Sequence, residues 1–154
     1  MIAKALRECG YQSSVFEVTL PYSNVPDPND FDLVGLGYPI HAFNSPQIFR
    51  NFVRQLPPLR RPAPVFFFKT SGEPFALNNA SSYLLYKEVR KKNFLPVQEV
   101  HLLMPYNIVF RYDDSLAKQM YLYTQAMSQA LANRLAAGEQ QKLHYTLRHR
   151  ALSA

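Results

Sequence analysis

The sequence predicts an α/β fold, an open parallel sheet with helices on both faces. Short apolar runs closed by Gly or Pro read as strands buried on both sides. Other segments repeat apolar residues at helical spacing. The two patterns alternate, and strands joined through helices are held parallel by right-handed crossovers. The chain has 154 residues, 47% hydrophobic and 18% charged, which suits one domain with a substantial core.

Ile2, Ala5, Leu6 and Cys9 mark a first helix that Gly10 ends. Ser14–Val18 reads as a strand, and the Pro-, Asn- and Asp-rich stretch 21–30 as a long loop. The run from Phe31 to Pro39 predicts a buried strand. Ser45 is placed to cap the next helix, with Pro46 at its first position. Ile48, Phe49, Phe52, Val53 and Leu56 form its apolar face, and Pro57-Pro58 stops it. Val65–Phe68 is the strongest strand and leads into a polar loop from Lys69 to Pro74. Ser81-Ser82 opens a helix to about residue 93, and Val100–Leu103 forms the next strand. Asp113-Asp114-Ser115 caps the last and longest helix, ending near Gly138. These elements assign residues 1–138 to one domain and residues 139–154 to a basic, flexible tail.

Cys9 is the sole cysteine, so the chain has no internal disulfide and no cysteine-held cluster of its own. His41, His101, His144 and His149 lack the spacing of metal ligands. The net charge of +6 suits an acidic partner surface but is too modest to indicate nucleic acid. No apolar run approaches the roughly 20 residues of a membrane helix, and the start lacks a signal-peptide pattern. A cytoplasmic location is the expectation.

Open parallel sheets bind ligands beyond the carboxyl ends of their strands. Three loops there have distinctive chemistry. Tyr38-Pro39-Ile40-His41-Ala42-Phe43-Asn44 offers rings and backbone donors to a flat aromatic ligand, or simply folds over the core. Thr70-Ser71-Gly72-Glu73 gathers hydroxyls and amides around a glycine, as a polar ring edge or an anion requires. It lacks the pattern of a Walker loop or a nucleophile elbow. Tyr106-Asn107 follows Met104-Pro105 at the third strand end.

Taken together, these segments resemble the flavodoxin-like domain of EFR-type, ferredoxin-fused flavoproteins. The run from Phe31 to Pro46 resembles that family's third strand and loop. Phe68 to Pro74 is similar to the loop after its fourth strand, and Met104–Asn107 to the segment after its fifth. The resemblance spans about residues 1–138 and implies FMN as cofactor and electron transfer as function. It implies that Tyr38, Pro39, Ile40, His41, Ala42, Phe43 and Asn44 line one side of the isoalloxazine. Tyr38, His41 and Phe43 would stack on it. Thr70, Ser71, Gly72 and Glu73 would approach the other side and the polar edge, with Tyr106 and Asn107 nearby. The partner implied is a ferredoxin-type or flavoprotein redox protein.

The sequence departs from the family in three ways. The first strand and its Ser/Thr-Gly-Thr-Gly-Asn-Thr-like phosphate loop have no counterpart, which reads as Met1 being an internal methionine of a longer chain. An iron–sulfur domain would have to come from a partner. The charge is positive, whereas small flavodoxins are commonly acidic. A sheet without its first strand would expose unpaired edges, open to a second copy. The alternative expectation is therefore a non-catalytic, flavodoxin-derived interaction module that binds flavin weakly or not at all. A weaker one is a hydrolase or transferase using Ser71 or His41.

Overall fold

In the computed structural model, residues 1–105 and 112–152 are described. Three parallel strands form one sheet in the order β1 (Val34–Pro39), β2 (Ala63–Ser71), β3 (Phe94–Leu103). The helices are α1 (Ile2–Glu8), α2 (Gln47–Gln55), α3 (Tyr83–Arg90), α4 (Asp114–Ala136) and α5 (Leu147–Leu152). The α/β open parallel sheet expected from the alternating pattern is the observed architecture.

Alternation along the strands builds two cores. Leu36, Tyr38, Val65 and Phe67 face α2 and α3, where Phe49, Phe52, Val53, Leu85 and Val89 close over them. Phe66, Val100 and Leu102 face the other way, onto Leu131, Ala132 and Leu135 of α4 and Ala5 and Leu6 of α1. Burial of these side chains on both faces is the main stabilising term.

Several boundaries differ from expectation. Ser14–Val18 forms no strand: it has no neighbour to pair with, and Val15 is 77% exposed. β2 continues through Lys69, Thr70 and Ser71, which sequence patterning places in a loop, because β3 runs on to Leu103 and pairs with all three. Pro46 is the N-cap of α2, and Ser45 makes no capping bond. A 3-10 turn, Ala76–Ser82, precedes α3. Asp113 caps α4 as expected, its carboxylate accepting from the Leu116 amide at 3.0 Å.

Residues 139–145 of the tail pack against β3 and α3. The Gln141 amide donates to the Val97 carbonyl at 2.7 Å, and Gln98 Nε2 donates to the Glu139 carbonyl at 2.8 Å. This covers part of the outer edge of β3. Tyr145 is then buried against the rings of Tyr83 and Tyr86.

β1 owes its fit to two glycines. A Cβ on Gly37 would lie 1.9 Å from Cζ of Phe68, and one on Gly35 would lie 2.4 Å from Cζ of Phe66. The rings of β2 thus lie across the bare backbone of β1. Gly37→Ala should cost about 1–3 kcal/mol of stability through overpacking. Urea unfolding of G37A and of G37A combined with Phe68→Leu checks this, and the double variant should recover most of the loss.

Candidate functional site

The carboxyl ends of the strands are closed by a strained hairpin. His41 and Asn44 exchange both backbone hydrogen bonds, each at 2.9 Å. Between them Ala42 and Phe43 have φ of 47° and 63°. A two-residue turn with both φ positive favours glycine or asparagine, and a bulky residue there costs about 1–2 kcal/mol. The result is that the Phe43 ring stands in solvent, 37% exposed. It meets exposed Phe75 edge to face, centroids 6.4 Å apart. Tyr112, after β3, donates to the Gly72 carbonyl at 3.1 Å. The segments after β1, β2 and β3 therefore converge at one end of the sheet.

Beneath them lies a polar layer. Lys69 is 1% exposed, and its ammonium pairs with Glu99 and donates to Ser82 Oγ at 3.1 Å. Tyr145 donates to the other Glu99 oxygen at 2.9 Å, and Ser82 donates to the first at 2.5 Å. Tyr38 OH bonds Ser82 at 2.9 Å and Ser81 at 3.2 Å. Desolvation holds the Lys69 ammonium below its ordinary range, and the Glu99 charge opposes that shift. Burial likewise pushes both tyrosines up, helped for Tyr145 by the Glu99 charge.

Register explains why these groups meet. Val65 pairs with Pro96 but Phe66 pairs with Gln98, so β3 carries a bulge at Val97. Past the bulge, Glu99 and His101 share the Lys69 face. Without it Val100 would stand opposite Lys69, and Glu99 would turn toward α4.

Ser71, the last residue of β2, is a hub. Its hydroxyl donates to the Glu73 carbonyl at 2.7 Å and accepts from Asn78 Nδ2 at 3.2 Å. His101 Nε2 lies 2.7 Å away. With the proton on Glu73, His101 serves as a second donor and all three bonding positions of the hydroxyl are filled. That is a clamp on the turn, not an activated nucleophile, and it removes support for hydrolysis through Ser71. Burial, and then the Lys69 charge, hold His101 below the ordinary histidine range.

The structure brings His41, Ala42, Phe43, Gly72 and Glu73 to the carboxyl end as expected. Pro39 is exposed there, and the Ile40 amide continues the ladder to the Thr70 carbonyl at 2.8 Å. Asn44 Oδ1 accepts from the Ser45 amide at 2.9 Å. Thr70 and Ser71 reach this end as strand residues. Tyr38 corrects the expectation of a stacking ring: it is 3% exposed, against Phe49. As an even-numbered residue of β1 it follows Leu36 onto the α2 face, and that alternation could have located it. Tyr106 and Asn107 lie outside the described residues. The Lys69–Glu99 pair, Tyr112 and Tyr145 were missed, since nothing in their spacing signals contact across the chain.

Among the described residues no three His, Cys, Asp or Glu side chains stand together as metal ligands, and no helix is long and apolar enough to cross a membrane. Two cavities, about 250 and 310 Å³, lie away from the carboxyl end: one between α2 and residues 21–27, one at the amino ends of the strands. No protein-family model and no curated protein matches the sequence.

Two outcomes follow from the polar layer. Glu99→Gln leaves the buried ammonium without its counter-charge and should cost about 3–5 kcal/mol in denaturant unfolding. His101 binds its proton less readily folded than unfolded. Acidification below about pH 6.5 therefore protonates the unfolded chain first, and stability falls. Unfolding measured on either side of that pH should show the loss, and His101→Gln should flatten it.

Proposed function

We propose that the chain is an FMN-binding, flavodoxin-like electron-transfer protein that exchanges electrons with a ferredoxin-type or flavoprotein partner. The observation that carries this reading is the convergence of solvent-facing rings and a glycine turn at the carboxyl end of an open parallel sheet, the customary ligand position in such folds. The three segments that meet there include those bearing the family resemblance.

The residues fit the ring of the cofactor better than its phosphate. Phe43, Phe75 and His41 are exposed rings available to a planar heterocycle. Ser45 Oγ, on the same β1–α2 connection, is buried without a hydrogen-bond partner. Strained backbone concentrates where a ligand uses it, and the Ala42-Phe43 turn is such a place. The sequence has no glycine-rich loop opening a helix to receive a phosphate dianion.

Bound FMN would supply the redox chemistry itself. The protein's part is positional. Phe43 and Phe75 would hold the ring, Gly72 and Glu73 would set its polar edge, and the Ser71 clamp would fix that turn. No side chain is asked to act as acid, base or nucleophile.

Flavin titration of the purified chain tests the reading. FMN should remain bound after desalting, and riboflavin should bind within about threefold of it, since the ring supplies the contacts. Loss of all flavin from saturated protein would sink the proposal. Phe43→Gly should have opposite effects on the two properties. It should stabilise the fold by about 0.5–1 kcal/mol by relieving the positive φ. It should weaken flavin binding roughly tenfold by removing a ring.

A further inference from the structure

Three cations gather on one ring cluster between α3 and the tail. The Tyr145 ring lies 5.5 Å from that of Tyr83 and 5.3 Å from that of Tyr86, centroid to centroid, and its hydroxyl is tied to Glu99. Lys87 and Arg150 lie over Tyr83 at 5.6 and 5.9 Å, and Arg90 lies over Tyr86 at 5.8 Å. Ring faces attract cations, so a platform that is itself fixed holds the positive charges in place. Tyr83, Lys87 and Arg90 fall on one stripe of α3, and α5 brings Arg150 to it. Elsewhere the chain answers many of its cations with carboxylates. Lys4 pairs with Glu8, Arg61 with Asp32 and Lys91 with Glu88. Glu88 also feels Arg54 and Lys92, and Asp27 feels Arg60. Among the described residues no carboxylate lies within ion-pairing distance of Lys87, Arg90 or Arg150. All three are exposed.

We propose that this face docks a partner protein through a cluster of carboxylates on that partner. Charge complementarity names the class, and composition favours protein over nucleic acid or lipid. Tyr and Arg are among the side chains most enriched at the energetic centres of protein interfaces. Leu147 of α5, 80% exposed, adds an apolar contact beside them. The ring faces are occupied by the chain's own cations, so they are not offered to the bases of a single strand. Guanidinium groups match the two oxygens of a carboxylate. Because Arg90 and Arg150 are already ordered over rings, docking costs them little side-chain entropy. α5 packs on the Ala76–Ser82 turn that follows Phe75, so a seated partner adjoins the carboxyl end of the sheet. The surface stands apart from the flavin reading, and its test uses no flavin.

A synthetic glutamate-rich peptide, titrated into the isotope-labelled full chain at physiological ionic strength and followed by NMR, tests this. The largest shifts should fall on Lys87, Arg90, Arg150 and the Tyr83 ring. Arg90→Gln combined with Arg150→Gln should weaken peptide binding about tenfold, and Lys87→Gln alone about threefold. Arg60→Gln combined with Arg61→Gln removes the same charge beside Asp27 and Asp32, and should change affinity by less than about twofold. Equal weakening by the two double variants would show general attraction to a basic protein and overturn the proposal. So would shifts that map to another face, or a peptide that does not bind. Tighter binding of a DNA duplex or of phosphatidylserine vesicles through the same three residues would give the face to another class of partner, and would overturn it as well.

Discussion

A buried ammonium governs the carboxyl half of this fold. Lys69 stands on a central strand, 1% exposed, on a face otherwise occupied by Leu36, Val65 and Phe67. A charge there is tolerable only beside a counter-charge with its remaining protons bonded. The bulge at Val97 brings Glu99 to that face, the turn before α3 brings Ser82, and the tail brings Tyr145. β3, α3 and residues 139–145 are thus each bound to a position set by one side chain of β2. The layer also supports the surface above it, since Ser71 and His101 continue it to the turn that presents Gly72 and Phe75.

The loop surface is organised on the opposite principle. Where the polar layer satisfies every group, the hairpin at His41–Asn44 keeps two residues in an unfavourable backbone region and leaves a phenyl ring in water. Asparagine and glycine would close the same turn more cheaply. Its sequence therefore makes sense through the ring it displays, and the rigid floor beneath keeps that display in place. Burial and strain are separated by depth: the buried groups hold, and the strained ones display.

How much of this was legible in the residues follows from range. Elements with strong local signals were readable: Asp113 capping α4, the apolar face of α2, and the run of phenylalanines in β2. The carboxyl-end loops were readable too, because Gly and Pro punctuate them. Ser14–Val18 misled because its β-branched pattern states a preference, and a strand needs a neighbour as well. Tyr38 was visible as an aromatic near a loop, while the alternation that buries it depends on where β1 begins. Lys69 and Glu99 could not be paired by inspection, since a one-residue bulge decides which face Glu99 takes. The packed tail lay beyond reach for the same reason, its anchors being an edge carbonyl and a carboxylate on β3.

The contact between Tyr145 and Glu99 has a consequence for biosynthesis. All three strands are synthesised before residues 139–145, so a sheet formed without that segment would carry its Lys69–Glu99 pair open to water on one flank. Only when Gln141 reaches Val97 and the Tyr145 hydroxyl reaches Glu99 does that flank close. The segment that looked like a trailing end is then the one that closes this side of the polar layer over the buried ion pair.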